Sequence, residues 1–140
     1  MAINHKVSFS ASSDRVYELL TDGAKFAAAT GKPARIEPGE GAPFSVFGDF
    51  IQGRQIELIP GKRIVQAWRF SVWEPGVYSL VRLTLTPHDT GTDLVLDQEA
   101  IPAGASPMYS SWKEHIAANW PTFYFEPFKR YLAGEPEFAS

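Results

Sequence analysis

An α+β fold, in which a curved antiparallel sheet grips one long C-terminal helix, follows from three observations on this sequence. Short runs of alternating apolar and polar residues recur from Ala34 to Ile101, separated by Gly, Pro and Asp turns. A first alternating run, Ile3–Phe9, stands apart from them, with two short helical segments after it. The chain then finishes in an aromatic-rich stretch holding Trp112, Trp120, Phe123, Tyr124, Phe125, Phe128 and Tyr131. Those rings carry more bulk than flat packing of a helix on a sheet usually needs, so the terminal helix either closes a filled core or roofs a pocket.

Each element has a local reason. Ile3, His5, Val7 and Phe9 alternate with Asn4, Lys6 and Ser8, the period of a half-buried strand. Ser12 or Ser13 can cap a short helix that places Val16, Leu19 and Leu20 on one face. Thr21-Asp22-Gly23 interrupts it; Asp22 can cap a second helix through Ala29, and Gly31-Lys32-Pro33 ends that one. The breaks Gly39-Glu40-Gly41, Gly48-Asp49, Pro60-Gly61-Lys62, Glu74-Pro75-Gly76 and His88-Asp89-Thr90-Gly91 are short enough to join antiparallel neighbours in a meander. Within it Ile64, Gln66, Trp68 and Phe70 share a face, as do Ser79, Val81, Leu83 and Leu85, and Leu94, Leu96, Gln98 and Ala100. Such alternation predicts a sheet with one dry and one wet face. The last helix is predicted over roughly Pro107 to Ala133, ended by Gly134. Pro121 and Pro127 lie inside it, so it must bend or begin afresh near Asn119.

Composition narrows the function. The chain has 140 residues, 44% hydrophobic and 21% charged, the size and balance of one globular domain spanning 1–140. Its net charge of −3 and the lack of any Lys/Arg run longer than two residues argue against a nucleic-acid binder, which needs a basic stripe to displace counterions. The absence of cysteine removes disulfides, thiolate catalysis and Cys-ligated zinc. No segment has the apolar length of a membrane span or a signal peptide, so no membrane partner and a cytoplasmic location are expected.

The candidate site is a space between sheet and helix. Trp68, Phe70, Val81, Leu83, Leu96, Trp120 and Phe123 are the residues placed to line it. Gln66 and Gln98 fall on dry strand faces, where an amide needs a partner: a ligand, each other, the helix or a water. Arg54, after Gly53, either faces inward to meet an acid or a ligand carboxylate, or points to water if the strand bulges. His115 is set to face the groove and is the first residue to test for acid–base chemistry. No catalytic set is expected beyond it: there is no G-x-S-x-G elbow and no HExxH, and Asp93, Asp97 and Glu99 alternate onto the wet face. Neither a metal nor a cofactor is expected, and a non-enzymatic role is favoured. Exposed rings at Tyr78 and Trp73, with Leu80, offer a seam for a protein partner or a homodimer.

The ordered pieces Val16–Asp22 (VYELLTD), Phe44–Gly48 (FSVFG), Ile51-Gln52-Gly53-Arg54, Glu57–Val65 (ELIPGKRIV), Trp68-Arg69, Trp73-Glu74-Pro75-Gly76, Gly91-Thr92-Asp93-Leu94 and Trp120–Lys129 (WPTFYFEPFK) cover nearly the whole chain. Together they make it resemble the AHSA type (activator of heat-shock-protein ATPase homologue) of the START-like, SRPBCC helix-grip superfamily. The resemblance implies the helix-grip fold and, from the wider superfamily, a small hydrophobic ligand enclosed between sheet and C-terminal helix. It also implies two rival functions: a chaperone-activating interaction module, and a cyclase- or hydrolase-type enzyme. In eukaryotic activators the resembling domain is the C-terminal half, and this chain is expected to begin at that domain's first strand.

Overall fold

The computed structural model describes residues 2–139. Strand β1 (Ile3–Phe9) leads into α1 (Ser13–Thr21) and α2 (Gly23–Thr30). Six strands follow: β2 (Ala34–Ile36), β3 (Pro43–Val46), β4 (Ile51–Ile59), β5 (Arg63–Phe70), β6 (Ser79–His88) and β7 (Gly91–Glu99). The chain ends in α3 (Trp112–Asn119), a π-helical turn (Trp120–Phe125) and α4 (Glu126–Ala139). All seven strands form one antiparallel sheet in the order β1-β7-β6-β5-β4-β3-β2. The first strand pairs with the last, Ile3 opposite Gln98 and Phe9 opposite Thr92, so β1 and β2 lie at opposite edges. The two short helices carry the chain from one edge to the other. This is the helix-grip fold.

The caps form as the sequence predicts. The Ser12 hydroxyl accepts from the Arg15 N–H at 3.2 Å, and the Asp22 carboxylate accepts from the Lys25 N–H at 3.0 Å. Asp22 serves twice, closing α1 through its own N–H to the Glu18 carbonyl and opening α2. Gly31 ends α2 in the left-handed region at φ 73°, where a side chain would be strained. The helices bury Val16, Leu19, Leu20 and Phe26 against the sheet.

Alternation along β5, β6 and β7 sends Ile64, Gln66, Trp68 and Phe70, then Ser79, Val81, Leu83 and Leu85, then Leu94, Leu96 and Gln98 to the dry side. Ala100 breaks the series: it is exposed, with φ at 60°, because the chain turns off the sheet there. In β4 regular alternation buries Ile51, Gly53 and Gln55 and directs Arg54 outward, and the pairing then shifts between Gln55 and Glu57, a bulge at which Ile56 is half-exposed.

The terminal helix departs from prediction at both ends. It starts at Trp112, not Pro107, since Ser106 knits the preceding residues into a loop, its hydroxyl accepting from the Tyr109 N–H at 3.0 Å. It runs through Gly134 instead of stopping there; a glycine inside a helix costs only about 1 kcal/mol relative to alanine. The prolines act where expected, near Asn119, by widening the helix. The Glu126 N–H donates to the Pro121 carbonyl five residues back, so the missing proline donors are absorbed in a π turn.

Gly53 shows how tightly β3, β4 and β5 are pressed together. A Cβ at that position would lie 1.9 Å from the Ala67 carbonyl oxygen and 2.6 Å from the Phe44 ring. Gly53→Ala is therefore expected to destabilise the protein by about 1–3 kcal/mol, the usual range for overpacking. A chemical denaturation curve followed by tryptophan fluorescence checks this; an unchanged midpoint would show that the strands can spread at no cost.

Candidate functional site

The seam between the sheet and the last helix is filled. Trp68, Phe70, Val81, Leu83 and Leu96 are fully buried, and Trp120 is nearly so. The gap remaining among Leu20, Phe26, Phe44, Gln66, Leu83, Trp120 and Tyr124 has a volume of about 10 Å³. That is at the lower limit of what one water needs. The rings lock at close range: Trp120 stacks on Tyr124 with centroids 4.0 Å apart and lies 6.0 Å from Trp68.

Most of the buried polar groups in this seam satisfy one another; the Nε2 of Gln55 has no hydrogen-bond partner among the described residues. Trp120 Nε1 donates to Gln98 Oε1 at 2.8 Å, Gln98 Nε2 to the Ser79 hydroxyl at 2.9 Å, and Ser79 to the Trp68 carbonyl at 2.7 Å. Gln66 Nε2 donates to Gln55 Oε1, its cross-strand partner, at 3.1 Å. Trp68 Nε1 donates to the Tyr124 hydroxyl at 3.4 Å. Burial holds the Tyr124 phenol well above its ordinary pKa, against the smaller opposing effect of that hydrogen bond, so it stays protonated. The two inward glutamines thus have protein partners, and Arg54 donates to the Gly41 carbonyl at 3.0 Å on the exposed side of β4. Trp73, whose turn position suggested exposure, is buried against Phe70 and Trp112.

Open space lies beside this seam. A cleft of about 520 Å³ runs along the outer face of α3 and the π turn. Its helical wall is His115, Ala118, Asn119, Thr122 and Phe123, spaced i, i+3, i+4, i+7 and i+8, one face of a helix. The opposite wall is apolar: Phe47 and Phe50 from the β3–β4 turn, Ile51 at its base, and Met108 and Tyr109 from the loop before α3. Lys32 stands at the rim. Of the residues the sequence singled out, His115 and Phe123 border this cleft; Trp68, Phe70, Val81, Leu83, Leu96, Gln98 and Trp120 do not.

The β3–β4 turn is held in an uncommon shape. Phe47, Gly48 and Asp49 have φ of 55°, 64° and 74°, three consecutive residues in the left-handed region. For a residue like Phe47 that costs roughly 1–2 kcal/mol. Hydrogen bonds over-determine it: Ser45 donates to the Asp49 carboxylate at 2.7 Å, Gln52 Nε2 to the Asp49 carbonyl at 3.1 Å, and the Gly48 N–H to the Pro33 carbonyl at 3.2 Å. The outcome is a Phe47 ring edge-on to Phe26 and Tyr124, 5.5 and 5.2 Å away, with Phe123 at 6.1 Å. Four large side chains at the mouth stay exposed: Phe50, Met108 at 77%, Tyr109, and Phe123 at 46%.

His115 sits in an aromatic slot, stacked on Trp112 at 5.4 Å and 14°, with Phe70 and Tyr109 rings 5.0 and 5.1 Å away. Burial lowers its pKa, so the neutral ring is favoured. Its Nδ1 and the Nδ2 of Asn119 are buried with no hydrogen-bond partner among the described residues. Asn119 had no part in the sequence-derived lining beyond its distance from His115. Among the described residues no group of three or more His, Asp or Glu is close enough to hold a metal ion, and no helix is long and apolar enough to cross a membrane.

The fold and the cleft together define a helix-grip domain with a sealed seam and an aromatic side opening. Residues 10–133 match the family described as activator of Hsp90 ATPase homolog 1-like protein, and the chain belongs to that family. Curated relatives include the human activator of 90 kDa heat shock protein ATPase homolog 1, 29% identical over 91% of this chain and 36% of its own length. The Dictyostelium discoideum activator is 33% identical over 79% of this chain and 30% of its own length. This chain thus spans about a third of the curated relatives it matches. Among solved structures, an HSP90 activator from Plasmodium falciparum superposes with a TM-score of 0.87 at 21% identity, covering 95% of this chain and 96% of that one. The Aha1 dimer from Colwellia psychrerythraea does so at 0.77 and 16% identity, covering 94% and 96%.

The lowered pKa of His115 has a defined sign. An unfolded histidine takes up a proton near pH 6.5, whereas the folded site resists it. The unfolded state therefore binds more protons as pH falls below about 6.5, and stability declines until pH passes the folded-state value. Thermal melts at pH 7 and pH 5 are expected to show a drop that His115→Gln reduces. An identical drop in the variant would assign the acid sensitivity elsewhere.

Proposed function

We propose that this protein, working in the cytoplasm as a single domain, binds a small apolar molecule without transforming it. The cleft beside the last helix carries this reading: about 520 Å³ is in the range of small-molecule sites, and its lining is mainly aromatic and aliphatic. The ligand is held at the side of the helix, because the seam beneath it is packed solid. Burying ~200 Å² of apolar ligand surface is worth about 5 kcal/mol before association costs, which leaves weak to moderate affinity. Of the expected lining residues, His115 and Phe123 keep a contact role; the others lie in the filled seam, except Arg54, which points outward from β4. Titration with N-phenyl-1-naphthylamine, followed by its fluorescence, is expected to give saturable binding that Phe123→Ala weakens at least fivefold. Saturable binding of equal strength in the variant would move the site away from the cleft.

A second reading comes from the relatives, whose names describe activators of a 90 kDa heat-shock-protein ATPase. On this reading the exposed rings at the cleft mouth meet a chaperone, and a homodimer, as named for the Colwellia relative, is one form the protein takes. Adding this protein to an Hsp90-class chaperone is then expected to raise steady-state ATP hydrolysis at least twofold, and Phe50→Ser with Met108→Ser to reduce the gain. No change in hydrolysis at saturating protein would eliminate this reading.

A further inference from the structure

The two walls of the cleft differ in chemistry. One is mainly apolar, with Phe47, Phe50 and Ile51 at its centre and the Tyr109 hydroxyl its one polar side-chain group among the lining residues. The other, the helix face, carries an imidazole, a carboxamide and a hydroxyl in a row at His115, Asn119 and Thr122. Residues four apart on a helix have Cβ atoms about 5–6 Å from each other, so the row presents its polar groups one turn apart. Asn119 is 6% exposed, yet its Nδ2 meets no acceptor, and His115 Nδ1 is likewise unpartnered. Polar groups buried without partners are costly, and native proteins leave few of them. In the seam the chain from Trp120 through Gln98 to Ser79 is joined, while Gln55 Nε2, Trp73 Nε1 and His5 Nε2 are, like these two, buried without a partner among the described residues. Of these groups only His115 and Asn119 line the cleft, and there the two stand one helical turn apart.

We infer that the cleft selects a flat aromatic molecule bearing an acceptor oxygen on one edge, a ketone or a carboxylate, which the Asn119 amide and the His115 ring bind while the ring system lies against Phe47 and Phe50. This rests on the small-molecule reading above. Both residues line the cleft although neither nitrogen is itself exposed there, so binding requires rotation about χ2 of Asn119 and of His115 to turn them toward a bound oxygen. The neutral state that burial favours for His115 suits a ketone, which needs a donor and no counter-charge. A carboxylate would draw in addition on Lys32, whose ammonium makes no ion pair among the described residues. A purely aliphatic ligand would leave both nitrogens unbonded and gain nothing from them.

Three probes of one shape separate the outcomes: 1-acetylnaphthalene, 1-naphthoate and 1-ethylnaphthalene, titrated by quenching of intrinsic tryptophan fluorescence. The oxygen-bearing probe that fits is expected to bind at least tenfold more tightly than 1-ethylnaphthalene. Asn119→Leu is expected to bring that ratio close to one while leaving 1-ethylnaphthalene affinity within about twofold, and Asn119→Ser, a smaller change, to lower it in part. A preference for 1-naphthoate that Lys32→Met removes identifies a carboxylate; a preference for 1-acetylnaphthalene identifies a ketone. Equal affinities for all three overturn the inference and leave apolar binding standing. Failure of all three to bind overturns the small-molecule reading with it. Far-UV circular dichroism of each variant ensures that only folded protein is compared.

Discussion

The insertion of Trp120 into the sheet is the contact on which the rest of the structure depends. Its indole ring fills the seam between Trp68 and Tyr124, and its N–H is taken by Gln98, which is tied through Ser79 to the backbone of β5. A large ring is buried at this depth at least cost when its polar edge is satisfied. The glutamine on the dry face of β7 provides that satisfaction. The π turn provides the geometry: with five-residue spacing after Trp120, the wider turn brings Trp120, Tyr124 and Phe125 to the buried side together. The two prolines, which look like defects in a helix, belong to this arrangement.

Filling the seam has a consequence for function. A helix-grip fold offers its interior as a natural container, and here that interior is occupied by the protein's own side chains. The remaining opening is displaced to the outer face of the same helix, where a strained turn and a serine-knitted loop hold aromatic side chains off the wall. Phe47 packs sideways into Phe26 and Tyr124, so the cleft wall is continuous with the core. Phe50, Met108, Tyr109 and Phe123 are left at its mouth in contact with water.

Membership of the Hsp90-activator family and the presence of the cleft bear on different questions. The family match extends over nearly the whole chain and accounts for the fold, from the capping residues through the Trp-Pro segment. The cleft depends on a turn and a loop that bring Phe47, Phe50, Met108 and Tyr109 over the helix face. An apolar small molecule and an apolar side chain of a partner protein obey the same desolvation physics. The chaperone reading calls only on the exposed mouth, whereas the small-molecule reading calls on His115 and Asn119.

Much of the fold was legible residue by residue. Ser12, Asp22 and Gly31 are local signals whose hydrogen bonds span three or four residues, and alternation in β5 to β7 reports burial directly. The same logic singled out His115 and Phe123, but as residues facing the space between sheet and helix; the structure sets both on the outer cleft instead. That logic did not reach Phe47, Phe50, Met108 or Tyr109, which meet His115 only through the way a turn and a loop fold over the helix. Nor did it separate a filled seam from a hollow one, since Trp68, Leu83 and Trp120 are suited to line either. The amino-acid sequence by itself determined the order of elements, the dry face of the sheet and the site of the helix irregularity, all of which follow from neighbouring residues and their period. Whether the interior is closed, which polar groups find partners, and where an opening survives were decided by tertiary packing, because volume and hydrogen-bond geometry depend on side chains distant in the chain.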